Sequence, residues 1–346
     1  MNNKISPFML LVSCLILISA SACGGATQPL DPTPDAPATT APVGVAAQPA
    51  VPTSTAGQQG VPPPASLPDK REDQATDTDS STTAAKKMAA PGSDTFVNDL
   101  FERPFNAPAM DQYFPYLDIV DLQGYIDATW GYATITLSGP DANGQLPDKY
   151  GVELDLNKDG RGDWLILVTK PVSTDWSTQG VQAWKDTDGD VGGTTPITSD
   201  KASSGDGYET LVFDQGKSSG NPDDAWARIS STDNKTIELA FKLSMIGNPK
   251  SYTMGAWAGA DLNPAMFDFN DHFTHILAGD PDSNVQFYPI KVLFEIDNTC
   301  RIAVGFQPNG NEPGLCLTFI KQKIKPGPPS GPPPPPVTNP NGGRGN

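Results

Sequence analysis

Apolar side chains between residues 94 and 325 fall in short runs, at 132–137, 150–154, 164–168, 181–184, 209–213, 225–229, 236–241, 252–257, 288–296 and 315–320. Gly, Pro, Asn or Asp bounds each run, and no 3.6-residue period is sustained between them. Short alternating or apolar runs with turn punctuation predict strands, and many of them predict an antiparallel β-sandwich. Helical turns are expected only near residues 95–102 and 243–246. The expected fold class is therefore all-β.

The pattern fades on both sides of this region. Residues 23–93 are dominated by Pro, Ala, Thr, Ser, Gly and Gln, which cannot bury enough surface to offset ordering entropy. They are expected to form a disordered tether, and residues 326–346, with prolines at 332–336, a disordered tail. Residues 1–22 have the form of a signal peptide: Lys4, then a fifteen-residue apolar run at 8–22, too short for a comfortable span. The run ends Ala20-Ser21-Ala22-Cys23, which resembles the lipobox of bacterial lipoproteins, with Ala20 where that family usually has Leu. The resemblance implies a lipidated Cys23 that anchors the chain outside the cytoplasm to a bacterial membrane, two acyl chains being enough for stable attachment. The alternative is an ordinary secretory peptide cut after Ala22.

Charge narrows the partners. The chain carries 40 acidic and 23 basic side chains, a net charge of −17, which argues against nucleic acid. Residues 94–325 hold 33 of the acids, 27 of them Asp, and all six tryptophans. Of four cysteines, Cys14 leaves with the signal and Cys23 is assigned to lipid, so Cys300 and Cys316 are expected to pair in an oxidising compartment. Two buried thiols or a metal pair are the alternatives.

Some of the aspartates are spaced for chemistry. Asp155, Asn157, Asp159 and Asp163 read D-x-N-x-D-G-x-x-D, which offers oxygens at positions 1, 3, 5 and 9 and the Arg161 carbonyl at position 7. Position 12 is Ile166 rather than Glu, and helical flanks are missing, so the pattern fits a strand-joining calcium loop better than an EF-hand. The alternative is an ion-free hairpin turn. A weaker candidate, Asp186, Asp188 and Asp190, has Val191 where the glycine is expected, and Asp261, Asp268, Asn270 and Asp271 could add ligands. The Arg161-Gly162-Asp163 tripeptide and the Asn234-Lys235-Thr236 sequon are read as incidental. His272 and His275 are read as surface or capping residues.

The succession of residues 150–157, 163–168 and 181–188, followed by 225–229 and 236–243, resembles the strand-and-acid-turn layout of family 9 carbohydrate-binding modules and DOMON-like sandwiches. The resemblance covers residues 115–280 and implies a jelly-roll or DOMON-like sandwich with calcium-stiffened loops that binds sugars. Some DOMON relatives bind haem, but no Met/His ligand pair is evident here. Trp176, Trp184, Trp226 and Trp257 lie near polar turns and are candidates to stack on pyranose faces, with burial in the core as the alternative for each. Without a G-x-S-x-G elbow or an H-E-x-x-H helix, a non-catalytic, calcium-stabilised glycan-binding module is expected. An envelope scaffold that binds protein is the alternative, with a surface glycoside hydrolase behind it.

Overall fold

The computed structural model describes residues 64, 66–82, 94–107, 109–192, 205–215, 221–267, 269–279 and 290–316. The expected signal peptide, Cys23, most of the expected tether and the expected tail lie outside them. Among the described residues no helix is long and apolar enough to cross a membrane.

Among the described residues thirteen strands form two antiparallel sheets, as the alternation predicts. The first sheet joins β1 (Asp73–Thr76), β3 (Ile119–Ile126), β4 (Trp130–Leu137), β10 (Thr236–Lys242) and β9 (Ala225–Ile229), in the order β1-β3-β4-β10-β9. The second joins β2 (Glu102–Arg103), β12 (Ile296–Asn298), β11 (Tyr252–Gly259), β5 (Lys149–Asp155), β6 (Trp164–Thr169), β7 (Val181–Lys185) and β8 (Thr210–Asp214) in that order, with β13 (Ile302–Val304) also on β11.

Alternation explains which faces meet. Leu122, Ala133, Ile135, Ile237 and Leu239 of the first sheet share one buried cluster with Val152, Leu154, Ile166, Val168 and Met254 of the second. The sheets close tightly at Gly124, where an added Cβ would stand 2.9 Å from Val304 Cγ2. Leu165, Leu167 and Trp257 point to the other face of the second sheet, where they meet Phe96, Phe101, Phe267 and Phe269 in a second core. Strands buried on both faces read as continuous apolar runs, which is why 164–168 and 252–257 stand out in the sequence.

Three expectations need correction. The folded unit begins before residue 94, because β1 pairs with β3 from within the stretch assigned to the tether. An edge strand needs little apolar surface: backbone pairing holds it, and only Ala75 and Asp73 are buried. Residues 290–295 of the expected 288–296 run are not strand, and β12 starts only at Ile296. Residues 243–246 form turns rather than a helix, whereas a 3-10 turn does occupy Phe96–Asn98. Cys300 and Cys316 are bonded, with their Cα atoms 5.1 Å apart.

Candidate cation turns and ligand face

The two acidic turns, separate in sequence, sit side by side because β6 and β7 are antiparallel neighbours with Trp164 opposite Lys185. The Asp186 N–H donates to the Asp163 carbonyl at 3.1 Å, and Arg161 Nη1 donates to the Val191 carbonyl at 3.2 Å. They differ in what their carboxylates bind. Asp155 is fully buried; its Oδ2 accepts from Gly160 N at 2.9 Å and from Arg301 Nη1 at 3.0 Å, and its Oδ1 from Lys158 N. Arg301 also pairs with Glu153 through Nη2. Asn157 and Asp159 each accept from an amide two residues on, and Asp163 Oδ2 accepts from Leu156 N at 2.6 Å. The turn is thus filled by its own amides, with a guanidinium supplying the counter-charge beneath it. Gly162 is required there: a Cβ would come within 1.8 Å of the Tyr208 hydroxyl oxygen.

In the second turn, Asp186, Asp188 and Asp190 each bring a carboxylate oxygen within 4.8 Å of the others, and Asp155, Asp159 and Asp163 form no such set. Asp186 accepts from the amides of Asp188, Gly189 and Val191, which orients it, while Asp190 Oδ1 and the nearby Glu209 Oε2 are buried without a hydrogen-bond partner. Desolvation, then the carboxylates of Asp190, Asp186 and Asp206, hold the exposed Asp188 carboxyl above its ordinary value. Asp261 is exposed; Asp268 and the side chains of Asn270, Asp271 and His275 lie outside the described residues, and His272 is partly buried in the one-turn helix Phe269–His272.

The tryptophans separate clearly. Trp257 is 3% exposed, with ring centroids of Phe267 and Phe269 at 5.0 and 5.6 Å, so it is a core side chain and no stacking platform. Trp184 is half-buried against the second core, with Nε1 3.3 Å from Gln182 Oε1. Trp176 and Trp226 share the outer face of the first sheet, packed with Trp130, Tyr132 and Tyr125.

Register organises that face into rows. Trp226, Ala240, Tyr132 and Tyr125 stand opposite one another across four strands. Two residues along lie Arg228, Glu238, Thr134, Gln123 and Gln74, across five strands. Four inter-strand gaps make the polar row about 19 Å long. Arg228 donates to Glu238 at 2.6 Å, with its guanidinium 4.4 Å from the centre of the Trp176 ring. Tyr125 donates to Gln123 at 2.7 Å, and both Gln123 and Gln74 donate to Asp121. Trp176, Trp226, Arg228, Tyr125, Gln123 and Gln74 all remain partly exposed. Sequence spacing finds the tryptophans but not this polar partner row, which only strand register brings beside them.

A cavity of about 350 Å³ lies elsewhere, under Leu262, Phe269 and Phe273, with Asp261 and Glu295 at its wall. Burial, then the Asp148 charge, pushes the Glu295 carboxyl up. Residues 280–289 lie outside the described residues.

No family model, no curated protein and no solved structure matches the chain.

Proposed function

We propose that this chain is a bacterial surface lipoprotein, anchored through Cys23, whose β-sandwich is a non-catalytic, calcium-stiffened module that binds glycans on the outer face of its first sheet. One observation carries the reading: the partly exposed Trp226 and Tyr125 end an aromatic row that lies beside a polar row with Arg228, Gln123 and Gln74 partly exposed, on the outer face of one sheet. Aromatic rings offer apolar contact to the C–H faces of a pyranose. Adjacent carboxamides, carboxylates and a guanidinium offer the donors and acceptors that hydroxyls require. Rows that run across four and five strands suit an extended chain of sugars rather than a single buried ring. In this reading the Asp186–Asp188–Asp190 turn holds calcium, an ion that takes six to eight oxygens and tolerates irregular geometry.

The test is a glycan array probed with full-length protein, followed by calorimetry on the best ligand. Trp226→Ala and Gln123→Ala are expected to weaken binding, the tryptophan change by roughly 30-fold, a typical loss for an aromatic anchor. Binding unchanged in both variants would place any ligand elsewhere, and an empty array would favour the protein-binding scaffold. Loss of palmitate labelling in Cys23→Ser is the expected outcome for the anchor; persistent labelling contradicts it.

A further inference from the structure

Among the described residues, a further group of buried carboxyls lies in neither acidic turn. Asp77 follows β1, Asp118 precedes β3, Glu102 is on β2 and Asp297 is the middle residue of β12. Glu102, Asp118 and Asp297 are 2%, 0% and 0% exposed, and Asp77 is partly buried. Glu102 and Asp297 face each other directly in the β2–β12 pair, an arrangement that like charges destabilise. Asp77, Glu102 and Asp297 each place a carboxylate oxygen within 4.8 Å of the others.

Neutral donors hold the oxygens in place. Ile119 N donates to Asp297 Oδ2 at 2.6 Å, Thr78 N to Asp77 Oδ1 at 2.8 Å, and Ser80 Oγ to Glu102 Oε1 at 2.6 Å. Ser80 N and the Tyr113 hydroxyl both donate to Asp118 Oδ2, at 3.0 and 2.5 Å. The second oxygens of two fully buried acids, Asp297 Oδ1 and Asp118 Oδ1, have no hydrogen-bond partner. Among the described residues no Lys or Arg pairs with Asp77, Asp118 or Asp297; the adjacent Arg103 is bound to Asp94. Burial is the main cause that pushes all four carboxyls up, and mutual repulsion adds to it for Glu102, Asp118 and Asp297; Asp77 and Asp118 rise to about 7. Asp118 and Asp297, each buried with one oriented and one idle oxygen, are costly as anions without a positive partner.

We infer that Asp77, Glu102 and Asp297, with Asp118 beside them, form a buried calcium site that clamps the two sheets together at their shared edge. The ligand set is all oxygen, with no His or Cys, and its three carboxylates exceed the one or two that magnesium usually takes from protein. Asp77 follows β1 of the first sheet and Glu102 and Asp297 lie on β2 and β12 of the second, so one ion ties three distant segments. It also fixes the end of β1, whose Gln74 closes the polar row of the outer face. The site goes beyond the glycan reading and does not depend on it.

The test is differential scanning calorimetry and calcium titration calorimetry on full-length protein stripped of metal with chelator. Calcium at a hundredfold excess over its dissociation constant is expected to raise the midpoint by about 5–10 °C in wild type and in Asp188→Asn. In Asp297→Asn the same addition is expected to lose that increment, and the chelated variant to melt above chelated wild type, because one buried charge is gone. Glu102→Gln serves as the second variant if Asp297→Asn does not fold. Identical wild-type midpoints in calcium and chelator would overturn the site and leave a carboxyl cluster sharing protons. An increment that survives Asp297→Asn but is lost in Asp188→Asn would assign all calcium to the turn, overturning this site while sparing that part of the proposed function.

Discussion

Two acidic regions of the sandwich answer the same electrostatic problem in different ways. At the Asp155–Asp163 turn, buried charge is met by the Arg301 guanidinium and by amides of the turn itself. At the Asp77–Asp118–Asp297 edge, carboxylates meet neutral donors and each other. Local crowding of acids is therefore a poor guide to where a cation is needed. The count that matters is charge against counter-charge after folding, and Arg301 enters the first count from 146 residues away.

The comparison is most easily broken at Arg301. Arg301→Met leaves Glu153 and Asp155 buried without their cation, which is expected to cost about 3–5 kcal/mol, measured by chemical denaturation. A cost below about 1 kcal/mol would mean that the turn does not depend on the guanidinium. Next in size is the disulfide that flanks Arg301 with a sequence separation of 16. The Arg301 amide donates to Gly314 and its carbonyl accepts from Cys316, so the bridged loop holds the arginine in place. Replacing both cysteines by Ser is expected to cost about 3 kcal/mol.

A smaller effect separates the two regions by pH. Asp77 and Asp118 rise from 3.8 to about 7 in the folded state, so between those values the folded chain binds more protons than the unfolded chain. In chelator, stability should therefore fall as pH rises from about 4 to 7 and level off above, in contrast to a salt-bridged acid. Calcium, which binds the ionised carboxylates, should flatten or reverse that slope. Thermal midpoints across this range, with and without chelator, read it directly, and identical slopes would contradict it. The smallest change belongs to Asp159→Asn in the exposed part of the compensated turn, expected to stay within about 0.5 kcal/mol of wild type.

Period-2 alternation made the long strands legible, because each carries its face in its own residues: Ala133, Ile135 and Leu137 inward, Tyr132, Thr134 and Thr136 outward. β1, β2 and β13 escaped, being two to four residues long and held by pairing rather than by pattern. β3 escaped as well, because Asp121, Gln123 and Gly124 dilute its apolar signal. The Cys300–Cys316 pairing was readable by elimination among four cysteines. The acidic turns were readable as turns, but the guanidinium under one of them was not, since nothing local to Asp155 announces Arg301. The edge cluster was invisible for the same reason: its acids are spread from residue 77 to residue 297 and are joined only by sheet topology. Of the tryptophans, Trp176 and Trp226 stand on the outer face and Trp257 in the core, a difference set by which face of which sheet each position takes.

Native mass spectrometry of full-length protein equilibrated with calcium tests the central contrast most directly. Asp297→Asn is expected to carry one calcium fewer than wild type, and Asp159→Asn the same number as wild type. Equal counts in wild type and Asp297→Asn, or a loss in Asp159→Asn alone, would contradict the account.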